Sequence, residues 1–199
     1  MKRILAGALL LAALSAAPAW SQSASDGDPV KGAHEFGFWG GAAYPFFGLT
    51  TRDTVYNAGF RYGWVLTDSH GPSFLRGRFE YTVDAEPFNL IYQLSGATYG
   101  IGLSVVGLRW DFDPSTRIKP YVEADSGPLY TFADLPIPGT SKLNFSSAAS
   151  VGVSVPRGQN RWDFELRVGH ISNGGITRLN PGVQTIGIRV GFYRYSGGR

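Results

Sequence analysis

The segment "HISNGGITRLNPG" places a histidine and a serine two residues apart, His170 and Ser172. A serine hydroxyl is a poor nucleophile until a base takes its proton, and an imidazole held by a third group is the usual base. Because residues i and i+2 point to the same side of a β-strand, this spacing on a strand delivers both groups together. The pattern is weak by itself, since H-x-S also occurs by chance.

The residues after the serine could stabilise the negative charge that forms during ester hydrolysis. Asn173 and the backbone amides of Gly174 and Gly175 are candidate hydrogen-bond donors to an oxyanion. The structural alternative is a polar cap where a strand leaves an apolar layer, with residues 173–182 as an ordinary exposed loop. Both interpretations require a β-strand that ends near Ser172.

Alternation of apolar and polar residues predicts eight strands along the chain. Most are longer than the globular average, and lengths of about 10 to 14 residues match a tilted strand that crosses a bilayer. A change of phase at Val105 and Val106 indicates a β-bulge. The predicted strands are His34–Phe46, Thr54–Leu66, Ser73–Asp84, Gly96–Phe112, Ile118–Phe132, Leu143–Val155, Arg161–Ser172 and Val183–Tyr195.

Extending the apolar face of two strands brings polar residues onto it. In strand seven Trp162, Phe164, Leu166 and Val168 share a face, and the same parity adds His170 and Ser172. Strand eight, extended backward from Ile186, adds Gln184 in the same way. With the hairpin centred near Arg178, Ser172 would lie opposite Gln184 and His170 opposite Ile186.

The polar faces of the predicted strands carry charges of both signs, such as Glu80 and Arg189, and aromatic residues lie near strand ends. A narrow membrane barrel has such ion pairs inside and aromatic girdles outside. The fold class expected is therefore all-β, an eight-stranded antiparallel transmembrane barrel. A secreted sandwich or a lipocalin-like barrel also alternates and is the alternative.

Connections after the first, third, fifth and seventh strands are mostly longer than the others. "DAEPFNLIYQLS" and "TFADLPIPGTSK" are examples, whereas "DPSTR" and "PRGQN" are short. Short periplasmic turns and longer external loops are typical of bacterial barrels. Strand seven would then run outward and place His170 and Ser172 near the outer leaflet.

The first residues resemble a secretory signal peptide. Lys2 and Arg3 precede an apolar run and then small residues, so cleavage is expected after Ala19 or Ser23, within residues 1–23. The barrel domain would be residues 24–199. The formal charge of +3 falls to about +1 without this leader, which gives no case for nucleic-acid binding.

No cofactor or metal is expected. The chain has no cysteine, so a thiolate nucleophile and a disulfide framework are both absent. His34 and His70 have no second ligand at metal spacing.

The stretch His170 to Gly182 resembles the C-terminal signature of the PagL-type lipid A 3-O-deacylases, the acyloxyacyl hydrolase group of outer-membrane barrels. That signature reads H-x-S-N, a spacer, N-x-G and an acidic residue, and "KPYVEADSG" and "LNF" are also similar to the family. The resemblance covers about the last 80 residues well. It implies a barrel in the cell outer membrane that hydrolyses the 3-position acyl ester of lipid A.

Carried over by position, Ser172 resembles the nucleophile, His170 the general base and Asn173 the oxyanion residue. The glutamate of the family falls at Gln184, and an amide stabilises an imidazolium less well than a carboxylate does. The expected partner is lipid A or lipopolysaccharide, and a homodimer is compatible with such a barrel. The alternatives are a non-catalytic outer-membrane barrel with a structural or loop-binding role, and a soluble lipid-binding protein.

Overall fold

The protein is an eight-stranded antiparallel β-barrel in which the last strand pairs with the first. The computed structural model describes residues 29–47, 54–93, 96–114 and 116–197. The closed barrel of eight antiparallel strands confirms the expected fold class. The strands are β1 His34–Phe47, β2 Thr54–Val65, β3 Gly77–Gln93, β4 Gly96–Phe112, β5 Lys119–Leu135, β6 Ser141–Arg157, β7 Asn160–Ser172 and β8 Val183–Ser196.

The alternation of the sequence corresponds to the two surfaces of the barrel. In β7, Phe164, Leu166 and Val168 are exposed on the outside, whereas Asp163 and Glu165 are buried inside. The outer surface is therefore apolar and the interior polar, as in barrels that cross a bilayer. The described part of the chain contains no helix that is long and apolar enough to cross a membrane.

The interior is held together by buried arginines that each contact several carboxylates. Arg109 is fully buried, bonds to Asp111 and Asp163 at 2.7 to 2.8 Å, and lies 3.5 Å from the centre of the Tyr121 ring. Arg61 likewise bonds to Asp84 at 2.8 Å. Since a buried charge is very costly without partners, this network fixes which residues face inward.

One end of the interior is apolar instead. Buried aliphatic side chains from five strands meet there, at the end of the barrel that the β7–β8 connection closes. They seal the polar interior by burying apolar surface against one another. The cluster consists of Val55, Ile91, Leu129, Leu135, Ile171 and Val183.

The third strand differs from the prediction, which ended it at Asp84 and took residues 84–95 as an external loop. It runs from Gly77 to Gln93, and only residues 94–95 connect it to β4. The register shifts between Glu86 and Asn89, where Pro87 interrupts the pairing because it has no backbone N–H. The bulge at Pro87 shifts the phase of the apolar–polar alternation, so the sequence pattern alone does not show that β3 continues.

The bulge expected in β4 is confirmed. Val105 and Val106 are both exposed, and the register against β5 shifts between Gly102 and Val106. The fifth strand also continues to Leu135, past the predicted end at Phe132. The connections from β3 to β4 and from β5 to β6 are consequently shorter than expected, whereas residues 173–182 connect β7 to β8 as predicted and form the longest fully described connection at that end of the barrel.

Candidate active site

His170 and Ser172 lie at the end of β7 and Gln184 at the beginning of β8. His170 is exposed, and Ser172 and Gln184 are partly exposed. His170 continues the outer face formed by Leu166 and Val168. All three polar groups therefore belong to the outer surface and not to the interior.

The side chains between these positions anchor the hairpin from within. Ile171 separates His170 from Ser172 in sequence, is 7% exposed and packs in the apolar cluster with Val183. Since neighbouring residues of a strand point to opposite faces, burial of Ile171 forces its two neighbours outward. Core packing thus determines the orientation of the candidate site.

The register predicted for this hairpin is wrong by two residues. His170 pairs with Gln184 instead of Ile186, and the β7–β8 pairing ends at Ile171 and Val183, one residue before Ser172. The hairpin is centred on Thr177 and not on Arg178 because the loop has an internal structure of its own. A shift of two residues preserves the face of every side chain, so the outward placement is unaffected.

Gln184 contacts the imidazole of His170 directly. Its amide nitrogen Nε2 lies 3.1 Å from Nδ1 of His170. An amide N–H in this position donates to Nδ1, which leaves the proton of the ring on its other nitrogen. Rotation of the amide by half a turn would present the carbonyl oxygen instead and allow Nδ1–H to donate. A glutamate in this place could only accept.

Gly182 supports the other side of the ring. Its φ of +67° is in the left-handed region, and a Cβ built on it would lie 2.9 Å from Cε1 of His170. A side chain at this position would have to displace the ring of His170, so the backbone of Gly182 lies against the imidazole edge. Gln184 and Gly182 together contact the Nδ1–Cε1 side, which leaves Nε2 as the nitrogen available to a nucleophile.

Asn173 organises the loop that follows the serine. It is 1% exposed, and its amide donates to Thr177 Oγ1 at 2.8 Å and to the carbonyl oxygen of Leu179 at 2.9 Å. Its backbone N–H donates to Oδ1 of Asn180 at 3.1 Å. Each N–H of Asn173 is therefore engaged within the loop and none is directed at Ser172.

The two glycines proposed as backbone donors differ from each other. The N–H of Gly175 donates to Oδ1 of Asn173 at 2.9 Å. The N–H of Gly174 has no acceptor among the described residues. Gly174 also lies against the ring of Phe145, which a Cβ would approach to 3.1 Å, and Phe145 is the partner of Ser172 on β6. The N–H of Gly174 is accordingly the loop donor that remains available to donate to an oxyanion.

The serine and the histidine are neighbours without a direct hydrogen bond. Within the described part of the chain, the Ser172 hydroxyl bonds to no other group. Residues i and i+2 of a strand lie about 7 Å apart at Cα, which side-chain rotation can bridge. Catalytic hydrogen bonds are often long before substrate binds, so this geometry is compatible with a Ser–His pair.

Two further serines, Ser147 and Ser126, lie beside the site, although neither belongs to the H-x-S-N motif. Ser147 of β6 pairs with His170 on the side away from Gln184, and its hydroxyl lies 2.8 Å from that of Ser126 on β5. The sequence does contain a signal for Ser147, because it interrupts the apolar face that Phe145 begins in "LNFSSAASVGVSV".

Among residues 29–47, 54–93, 96–114 and 116–197, no cluster of three or more histidine and carboxylate side chains could hold an ion. His34 bonds to the hydroxyl of Tyr62 at 2.8 Å, and His70 bonds to the carbonyl oxygen of Asp68 at 2.8 Å.

Residues 14–193 match the family model for lipid A 3-O-deacylase (PagL). Among solved structures, the chain is similar to the outer membrane enzyme PagL, with 18% identity, a TM-score of 0.55, and coverage of 79% of this chain and 97% of that one. It is also similar to the outer membrane protein OprG from Pseudomonas aeruginosa, with 10% identity, a TM-score of 0.51, and coverage of 85% and 98%. Among curated proteins, none matches the chain significantly.

Proposed function

Since the chain belongs to the lipid A 3-O-deacylase (PagL) family, we propose that it is an outer-membrane serine esterase. Its substrate would be lipid A, or lipopolysaccharide, in the outer leaflet, and it would remove the acyl chain esterified at position 3. Ser172 would be the nucleophile and His170 the general base. The observation that carries this proposal is their outward placement next to each other at one end of a barrel with an apolar outer surface.

The proposed reaction proceeds in two stages. Oγ of Ser172 attacks the ester carbonyl carbon while Nε2 of His170 takes the hydroxyl proton, with the Gln184 amide rotated so that its carbonyl oxygen accepts from Nδ1–H. The tetrahedral intermediate expels the sugar oxygen, which receives that proton, and an acyl-serine remains. Water, deprotonated by His170, then releases the fatty acid and restores the Ser172 hydroxyl.

The loop would stabilise the negative oxygen of the tetrahedral intermediate. The N–H of Gly174 is the donor that we assign to it, because the amides of Asn173 and Gly175 already donate within the loop. Asn173 then acts by holding the loop in the shape that presents Gly174. Gln184 would orient the imidazole through its contact with Nδ1.

The location and partners follow from the same premise. Family membership and the apolar outer surface support an outer-membrane location, with the acyl chains of the glycolipid beside the barrel. Export by a signal peptide within residues 1–23 and assembly as a homodimer remain predictions. The leader lies outside the described residues.

A second candidate function has one observation in its favour. The amide nitrogen of Gln184 faces Nδ1 of His170, which is the arrangement least suited to a general base. A non-catalytic outer-membrane barrel with a structural or loop-binding role would keep its function with that arrangement.

Mass spectrometry of lipid A separates the two functions. The chain is expressed in a Gram-negative host whose lipid A retains its 3-position acyl chain, with Ser172→Ala as the test variant. Ser196→Ala is the matched control because that serine is exposed at the opposite end of β8. We expect loss of one 3-hydroxyacyl unit with the wild type and the control only. Unchanged lipid A with a normally folded wild-type barrel would support the non-catalytic role.

A further inference from the structure

Four polar side chains form one continuous row across the outer surface. The register pairs Ser126 of β5 with Ser147 of β6, Ser147 with His170 of β7, and His170 with Gln184 of β8. Of these four side chains, only His170 and Gln184 have a role in the proposed reaction. Polar side chains on a lipid-facing surface are costly and usually functional, so the two serines require an explanation.

The two hydroxyl groups satisfy each other only in part. Their oxygen atoms are 2.8 Å apart, and neither has another partner among the described residues. In such a pair one hydroxyl donates to the other, whose own hydrogen remains without an acceptor. The pair therefore offers one free donor and several acceptor positions toward the lipid, which suits a ligand hydroxyl.

Apolar side chains border the pair toward the middle of the barrel and along one side. Ala149 and Val168 form the next row below Ser147 and His170, and Val106 lies beside Ser126. All three are exposed. An acyl chain that descends from an ester at Ser172 would pass over the row of Ser147 and His170 and then over apolar surface.

The spacing places the hydroxyl pair near the beginning of such a chain. Ser172 pairs with Phe145, two residues before Ser147, so Ser172 and Ser147 are diagonal neighbours at about 7 to 8 Å between Cα atoms. An ester carbonyl about 3 Å from Oγ of Ser172 and a hydroxyl about 2.8 Å from Oγ of Ser147 fit within this distance when the hydroxyl is on the third carbon of the acyl chain.

We propose that Ser147 and Ser126 form a subsite that binds the 3-hydroxyl group of the acyl chain to be removed. This inference rests on the proposed esterase activity and specifies its substrate, a 3-hydroxyacyl ester as opposed to an unsubstituted acyl ester. Ser147 contacts the substrate hydroxyl, and Ser126 positions Ser147 and shares its hydrogen bond.

The test compares two synthetic glucosamine 3-O-esters of equal chain length, one with and one without a 3-hydroxyl group. They are presented in phospholipid vesicles that contain the full-length barrel, and the ratio of kcat/KM for the two esters is measured. Ser147→Val and Ser147→Thr form a matched pair of nearly equal shape, and only Thr retains the hydroxyl. All measurements are made in the wild type and in the Gln184→Glu background.

We expect the barrel to prefer the 3-hydroxyacyl ester by about tenfold, which corresponds to one or two hydrogen bonds. Ser147→Val should abolish this preference and Ser147→Thr should retain most of it, each judged by the ratio of kcat/KM for the two esters. Ser126→Ala should lower the preference severalfold. Folding of each variant is checked by its heat-modifiable mobility in gel electrophoresis.

Other outcomes overturn the inference in distinguishable ways. Equal hydrolysis of both esters by the wild type, or a preference that survives Ser147→Val, removes the subsite and leaves the esterase in place. Loss of both activities in Ser147→Val and not in Ser147→Thr would make Ser147 the nucleophile. No hydrolysis of either ester in either background overturns the proposed function together with the subsite.

Discussion

Replacement of Gln184 by glutamate is the most direct test of the site. The amide of Gln184 lies 3.1 Å from Nδ1 of His170 and can present either its N–H or its carbonyl oxygen there. A carboxylate can only accept, so it would hold the proton on Nδ1 and leave Nε2 free to take the proton of Ser172. It would also stabilise the imidazolium that forms as the serine attacks.

The size of the effect follows from the geometry. With the centres of charge about 4 Å apart, attraction between a carboxylate and an imidazolium is about 1 kcal/mol in water and about 4 kcal/mol at an effective dielectric constant of 20. His170 is exposed beside an apolar surface, which places the pair between these limits. Since about 1.4 kcal/mol is tenfold in rate, Gln184→Glu should raise kcat by between about 5-fold and about 700-fold.

The assay measures release of 3-hydroxy fatty acid from lipid A in vesicles that contain wild-type or Gln184→Glu barrel. The same substitution in a Ser172→Ala background is the control, because the gain must require the serine. A barrel that folds normally and shows no gain would contradict the assignment of Gln184 as the third member of the site. A gain that persists in the Ser172→Ala background would contradict the assignment of the nucleophile.

Three further substitutions test the supports of the site and of the fold. Gly182→Ala should lower kcat about tenfold or more, because the added Cβ displaces the ring of His170. Gly175→Ala is the control: its φ of +84° is similar, but nothing lies within 4 Å of the added Cβ, so kcat should stay near that of the wild type. Equal losses of kcat in the two variants would indicate that backbone strain alone is the cause. Ile171→Ala should reduce the free energy of unfolding by about 2 to 5 kcal/mol, measured by urea titration in vesicles, and should also lower kcat; an unchanged unfolding midpoint would argue against the apolar cluster. Arg109→Ala should reduce the free energy of unfolding by about 3 to 5 kcal/mol, since its truncation removes the nearest cation from the buried carboxylates of Asp111 and Asp163; a stability equal to that of the wild type would show that Arg161, at 3.4 to 3.7 Å from both, compensates.

The face of each site residue could be predicted from the sequence, because it depends only on parity. Phe164, Leu166 and Val168 define the outer face of β7, and a count of two reaches His170. Burial of Ile171 in the apolar cluster enforces the same parity from the inside. The alternation of apolar and polar residues along β7 was therefore sufficient to predict that His170 and Ser172 point outward.

The pairing between strands could not be predicted in the same way, because it depends on contacts within connections. The register of β7 and β8 is determined by a loop in which the amide of Asn173 donates to Thr177 and to the carbonyl oxygen of Leu179. Pro87 shows the same limit in β3, where a bulge changes the phase of the alternation and the strand continues. Neither effect has a periodic signature that a single sequence reveals.

The polar row has a consequence for how such a barrel can change its substrate. His170, Ser147 and Ser126 are joined by strand register, and their inward neighbours, such as Ile171, belong to the buried interior. Substitutions on the outer face leave the apolar cluster and the arginine network untouched, so they alter what the surface binds at little cost to the fold. Gln184 is on this face as well, so exchange of an amide for a carboxylate at this position should leave closure of the barrel unaffected. The outer face is thus where activity can be lost, retained or redirected independently of stability.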